Sequence, residues 1–188
     1  MEILAHRGKW DKKSEGNTLY SLIDALENGF GVETDIRDLD GEIVISHDPP
    51  QSNKCENFIK LSEFFEEYNN LKIFKPLALN VKSDGLAKDL NSYLDKYNIT
   101  NYFIFDRSVP DLLNYSNYKM NIYARSSEFE NGNLLKDYSC GLWVDGFNIN
   151  YFDNINLESL TYGWNNICFV SPELHNFSEK TFWKKLKK

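Results

Sequence analysis

Short apolar runs alternate with longer stretches in which apolar residues recur every three or four positions. The runs are residues 3–5, 31–36, 43–46, 77–81, 102–105, 121–124, 142–144 and 167–170. Their length and their β-branched and aromatic content predict strands. Between residues 5 and 31, Leu19, Leu22, Ile23 and Leu26 form a stripe at helical spacing, opened by Asn17-Thr18 and stopped at Gly29. Leu86, Leu90 and Leu94 share one face of a second helix, which Asp84 can cap and which runs to about Tyr97. A similar pattern spans Leu61 to Tyr68, and Phe177, Phe182, Trp183 and Leu186 suit a closing helix. Strand alternating with helix implies an α/β fold with a parallel sheet, open or closed.

Composition narrows the picture. The 188 residues are 41% hydrophobic and 15% aromatic, enough for one domain over residues 1–188 with a real core. A net charge of −7 argues against nucleic acid or an anionic membrane as partner. The basic end, Lys184-Lys185-Leu186-Lys187-Lys188, reads as a solvated helix terminus. No apolar run approaches the ~18 residues of a membrane span, and no signal-peptide core is visible, so the expected location is cytoplasmic. Cys55, Cys140 and Cys168 are odd in number and far apart, as reduced structural thiols would be.

Most runs end in polar residues that a plain core does not need. The first ends in His6-Arg7, the second in Glu33-Thr34-Asp35, the third in His47-Asp48 and the fourth in Asn80-Val81-Lys82. Side chains alternate along a strand, so Glu33 and Asp35 share a face, as do Asn80 and Lys82. Polar residues gathered at the C-terminal ends of parallel strands are where TIM barrels and open α/β sheets keep their active sites. Two carboxylates at i, i+2 with a third oxygen donor suit a hard cation, Mg²⁺ or Ca²⁺. Two histidines can act as base and acid, and Arg7 and Lys82 can neutralise a phosphoryl group. Together these groups describe phosphodiester cleavage. Later runs end at Asp106, Arg125, Asp145 and Glu173. Of these, Arg125 and Glu173 are candidate pocket residues, Trp10 is a candidate pocket wall, and Asp106 and Asp145 read equally well as structure. His175 lies past its strand and is expected at the surface.

The segments AHRG, NTLYSLIDALENGFGVETD and DGEIVISHDP, in that order and spacing, resemble the N-terminal half of the glycerophosphodiester phosphodiesterase family. That family belongs with the phosphatidylinositol phospholipase C-like TIM barrels. The match covers residues 2–50, thins towards Lys82 and is weak afterwards. The resemblance implies a TIM-like (β/α) barrel and an acid–base pair of His6 and His47. It further implies phosphate contact by Arg7 and metal ligation by Glu33 and Asp35. The implied chemistry runs through a cyclic phosphate formed by a neighbouring hydroxyl and then opened by water. Asn80 stands where the family usually has glutamate; its amide oxygen can still ligate, with weaker binding. The substrate is expected to be a small-molecule or glycan phosphodiester. The alternative is a non-catalytic barrel that keeps the pocket to bind a phosphate ligand or a partner.

Setting aside residues 43–46 as an excursion leading to His47, seven runs remain where a closed barrel needs eight. A barrel lacking its eighth strand leaves two edges, which a helix, a loop or a second copy of the chain must cover.

Overall fold

A computed structural model describes residues 1–51 and 58–187, so Cys55 and Lys188 lie outside the described residues. The chain forms two compact units, Met1–Met120 and Asn121–Lys188.

The first unit is built on β1 (Leu4–His6), β2 (Gly31–Leu39), β3 (Glu42–Ile45), β4 (Leu77–Val81) and β5 (Tyr102–Phe105). Strands β1, β2, β4 and β5 run parallel in that order, and β3 pairs antiparallel with β2. Helices α1 (Leu19–Glu27), α2 (Leu61–Asn70), α3 (Ala87–Lys96) and α4 (Val109–Asn117) connect or flank them. Every residue of β4 is buried, as befits a parallel strand covered on both faces. Leu22 and Leu26 of α1, Phe64 and Phe65 of α2, and Leu90 of α3 are fully buried with Val32, Leu79 and Ile104 of the sheet.

Local signals account for most boundaries. Thr18 caps α1 by accepting from the Ser21 amide. The expected cap at Asp84 is not made: α3 starts at Ala87 after Leu86, without a side-chain cap, and Asp84 instead accepts from the Ser108 hydroxyl at 2.7 Å. Ser108 is itself the cap of α4. Strand β2 runs past the expected end at residue 36, because the turn at Asp40-Gly41, both with positive φ, folds β3 back onto residues 36–39. Residues 43–46 are thus a hairpin arm, as expected, and not a parallel stave.

That hairpin decides where the two histidine segments meet. The β1 edge of β2 is used twice. The Glu33 carbonyl accepts from the Arg7 amide at 2.9 Å, and the Asp35 carbonyl accepts from the Ser46 amide at 3.0 Å. Carbonyls two residues apart point to the same edge. Strand β1 therefore leaves this edge at Glu33, and β3, running the opposite way, arrives at Asp35. His6-Arg7 and Ser46-His47 face each other along one stretch of β2.

The second unit holds β6 (Tyr123–Ser126), β7 (Gly141–Val144) and β8 (Ile167–Phe169), parallel in that order, with α5 (Ile149–Asn154), α6 (Leu157–Thr161) and α7 (Lys180–Leu186). Ala124, Leu142, Val144 and Trp164 form its core. Phe182 of α7 is buried, its ring 5.1 Å from Phe152 and 5.8 Å from Phe169. Phe182, Trp183 and Leu186 therefore lie in the expected last helix, while Phe177 precedes it. Among the described residues there are seven parallel strands, one of them starting two residues later than its run. No described helix is long and apolar enough to cross a membrane.

Candidate functional site

The first unit gathers its polar side chains at the C-terminal ends of β1 and β4 and along the stretch of β2 level with them. After His6 the chain turns sharply, with Arg7 and Gly8 at φ of 59° and 84°. A Cβ on Gly8 would lie 2.4 Å from the Ser21 carbonyl carbon, so only glycine lets this turn close against α1. The indole of Trp10 donates to the His6 carbonyl at 2.8 Å and fixes the turn from outside. Trp10 thus meets the backbone of His6.

Strand β2 supplies Glu33 and Asp35, 3% and 1% exposed. The Arg7 guanidinium pairs with Asp35 Oδ2 at 2.9 Å, and Asn17 Nδ2 donates to the same oxygen at 2.8 Å. Asn17 Oδ1 accepts from the Thr34 hydroxyl at 2.8 Å. Asn17 itself sits at a φ of 61°, which asparagine tolerates better than most residues. On β4, Asn80 is in register with Asp35 and donates through Nδ2 to Glu33 Oε1 at 3.3 Å. Lys82 Nζ stands 3.1 Å from Asp106 Oδ2 and 3.6 Å from Asp35 Oδ1.

His6 Nε2 lies 3.7 Å from Glu33 Oε2. Burial first, and the Arg7 charge second, push the His6 imidazole down to about 4, against the opposing pull of Asp35. His47 is near enough to be among the smaller causes of that shift. Its own ring is half exposed and pairs with Asp48 Oδ1 at 2.8 Å. Burial first, and the Asp35 carboxylate second, push the Glu33 carboxyl up to about 8.

This donor set fits a hard cation. Asp35 Oδ1 and Asn80 Oδ1 are buried acceptors that receive no hydrogen bond among the described residues. Orphaned buried oxygens are costly unless something satisfies them. With Glu33 they supply two carboxylates and one amide oxygen, the ligand chemistry of Mg²⁺ or Ca²⁺. Among the described residues no three His, Cys, Asp or Glu side chains converge as a metal set, and the oxygen nearest in kind beside the two carboxylates is the neutral amide of Asn80.

His6, Arg7, Glu33, Asp35, Asn80, Lys82 and His47 all belong to the first unit. Arg125 and Glu173 belong to the second, where Arg125 is paired with Glu130 and Glu173 accepts from the Ser171 hydroxyl. His175 is not a free surface residue. It pairs with Asp145 Oδ1 at 2.7 Å and packs edge-on at 5.1 Å from the Phe147 ring, because the 3-10 turn after β8 carries it back.

Three residues of the first unit escaped the sequence reading as site components. Asn17 was legible only as a helix-start signal. Asp106, which in sequence reads as structure as readily as function, holds Lys82. Arg37 sits one alternation beyond Asp35 on β2 and donates to two carbonyls, those of His47 at 2.9 Å and Lys82 at 3.0 Å.

No family profile matches the chain, and no curated protein matches it. Solved structures do. A Galdieria sulphuraria protein, provisionally assigned as a glycerophosphodiester phosphodiesterase, superposes with a TM-score of 0.75 at 17% identity, over 98% of this chain and 89% of that one. A glycerophosphodiester phosphodiesterase from Parabacteroides distasonis matches with a TM-score of 0.64 at 15% identity, over 98% of both chains. An Oleispira antarctica phosphodiesterase, solved in complex with the product sn-glycerol-3-phosphate, matches at 0.65 and 16% identity, over 100% of this chain and 97% of that one. The common feature is the fold. It is of the TIM-like (β/α) barrel type, here an incomplete one.

Proposed function

We propose that this chain is a phosphoric diester hydrolase acting on glycerophosphodiester-like substrates, small molecules or glycans. The observation that carries the reading is the cluster of His6, Arg7, Glu33, Asp35, Asn80 and Lys82, in which two buried oxygens, Asp35 Oδ1 and Asn80 Oδ1, receive no hydrogen bond among the described residues and only Asp35 Oδ1 has a cation, Lys82, nearby. The shared fold adds support, and its match over the whole chain favours one domain over residues 1–188.

In this reading Glu33, Asp35 and Asn80 hold a divalent cation, Mg²⁺ or Ca²⁺. When bound, that ion supplies positive charge to a non-bridging phosphate oxygen. Arg7 and Lys82 bring positive charge to the two oxygens of Asp35. They can bind the phosphodiester and stabilise the charge that grows on its oxygens in the transition state. One histidine takes the proton of the substrate hydroxyl next to the phosphate, and that oxygen attacks phosphorus. The other histidine gives a proton to the departing alcohol oxygen, which leaves with the electrons of its bond to phosphorus. The product of this step is a cyclic phosphate. Water then opens the ring, with the two histidines in exchanged roles.

The test is hydrolysis of a glycerophosphodiester and of a generic aryl phosphodiester, with Mg²⁺, with Ca²⁺ and with EDTA. Turnover with a divalent ion and none with EDTA is expected. A second reading rests on Asn80: its neutral amide lowers the charge of the cation site and favours a non-catalytic phosphate-binding barrel. Binding of sn-glycerol 3-phosphate without turnover under any of these conditions would replace the first reading by the second.

A further inference from the structure

We propose that Arg37 is a positioning residue that ties the His47 segment to the end of β4 and thereby fixes His47 for catalysis. The inference rests on the hydrolase reading above and extends it to a residue to which the resemblance assigns no role.

Strand alternation puts Glu33, Asp35 and Arg37 on one face of β2. At this point β2 is flanked by two chain segments on opposite edges. Ser46 arrives on one edge through the Asp35 carbonyl, and Lys82 arrives on the other through the Ile36 carbonyl, each at 3.0 Å. Both ladders are at their ends here, since the last rung with β4 is Ile36 opposite Val81 and the last with β3 is Ile36 opposite Ile45. Arg37, still paired with Val44 in the β3 ladder and one residue past the end of the β4 ladder, links the two segments through its guanidinium. Its Nε donates to the His47 carbonyl at 2.9 Å and its Nη1 to the Lys82 carbonyl at 3.0 Å. Only a planar fork with several donors reaches two acceptors in fixed directions at once.

The two ends of this tie are unequal. Lys82 is held without Arg37: its amide is in the ladder, and its ammonium lies between Asp106 and Asp35. His47 has less. Among the described residues its ring pairs with the exposed Asp48 carboxylate, and its neighbour Ser46 is tied to Asp35 and to the Asp48 carbonyl. Lys82 is thus the anchor and His47 the group that is held. Removing Arg37 should disturb the acid–base step and leave phosphate binding nearly intact. A displacement of about 1 Å at a reacting group costs on the order of 10²-fold in rate.

The experiment compares the full chain with Arg37→Met, Arg37→Lys, His47→Ala and the double variant Arg37→Met/His47→Ala. On an aryl phosphodiester with a divalent ion, Arg37→Met should lower kcat by roughly 10- to 100-fold with KM little changed. Arg37→Lys should recover part of the loss, since an ammonium can still reach one carbonyl. In the His47→Ala background Arg37→Met should cost almost nothing more, because its effect runs through His47. Losses that multiply in the double variant, or a weakened KM with kcat intact, overturn the proposal. If the wild type turns over no phosphodiester, the hydrolase reading fails separately, and NMR decides on Arg37. Arg37→Met should shift and sharpen the His47 ring and Asp48 amide signals while those of Val32–Asp35 stay in place. Unchanged His47 signals overturn the proposal.

Discussion

Replacing Asn80 by glutamate tests the buried carboxylate cluster without any assay of turnover. Asn80 is 7% exposed, and its amide donates to Glu33 at 3.3 Å. Asn80→Glu removes that donor and sets a third carboxylate beside Glu33 and Asp35. Leaving a buried charge uncompensated costs about 3–5 kcal/mol, and the lower end applies because Arg7 and Lys82 stand at Asp35. In a chain of this size each kcal/mol shifts the melting temperature by about 2–4 °C, so a 3 kcal/mol loss is roughly 6–12 °C. The variant in EDTA should melt that far below the wild type. The same carboxylate is a stronger ligand than an amide. A cation at a hundred times its Kd restores about 2.7 kcal/mol, nearly the whole deficit. Scanning calorimetry in EDTA, Mg²⁺ and Ca²⁺ reads both effects, and titration calorimetry reads the tighter Kd. A variant that melts with the wild type in EDTA, or gains nothing from either ion, would refute the assignment of Asn80 to the cation site.

His6→Ala and His47→Ala should each lower turnover by ~10²–10⁴-fold with unchanged far-UV circular dichroism; wild-type rates in either variant remove that residue from the mechanism. Glu33→Ala should abolish cation binding measured by titration calorimetry, and retained binding would move the ion elsewhere. Gly8→Ala meets the Ser21 backbone at 2.4 Å and keeps a φ of 84° that alanine resists, so it should lose on the order of 2 kcal/mol or more in a urea melt. A Gly8→Ala protein as stable as wild type would mean that the turn after His6 is not fixed.

The periodic parts of the fold were legible along the chain. Strands need period two and helices period three to four, and both are local properties of Leu77–Val81 or of the Leu19–Leu26 stripe. The shared face of Glu33 and Asp35 follows from alternation alone, and the expectation of a site near the strand ends follows from the polar residues that close the apolar runs. Counting runs also gave the parallel strands, because each buried strand carries its own apolar signature. What the tertiary structure decided is everything that depends on register across the sheet. The convergence of His6 and His47 exists because β3 takes over the edge of β2 that β1 leaves, and no local pattern records which carbonyl an arriving amide finds. Asn17 reaches Asp35 across eighteen positions through a left-handed backbone, while reading as a helix-start residue in sequence. Asp84 looked like a cap and is bound to Ser108, since a capping side chain goes to whichever donor packing brings nearest. Arg37 carried no signal, because its partners are backbone carbonyls, which every residue has and which only the fold selects.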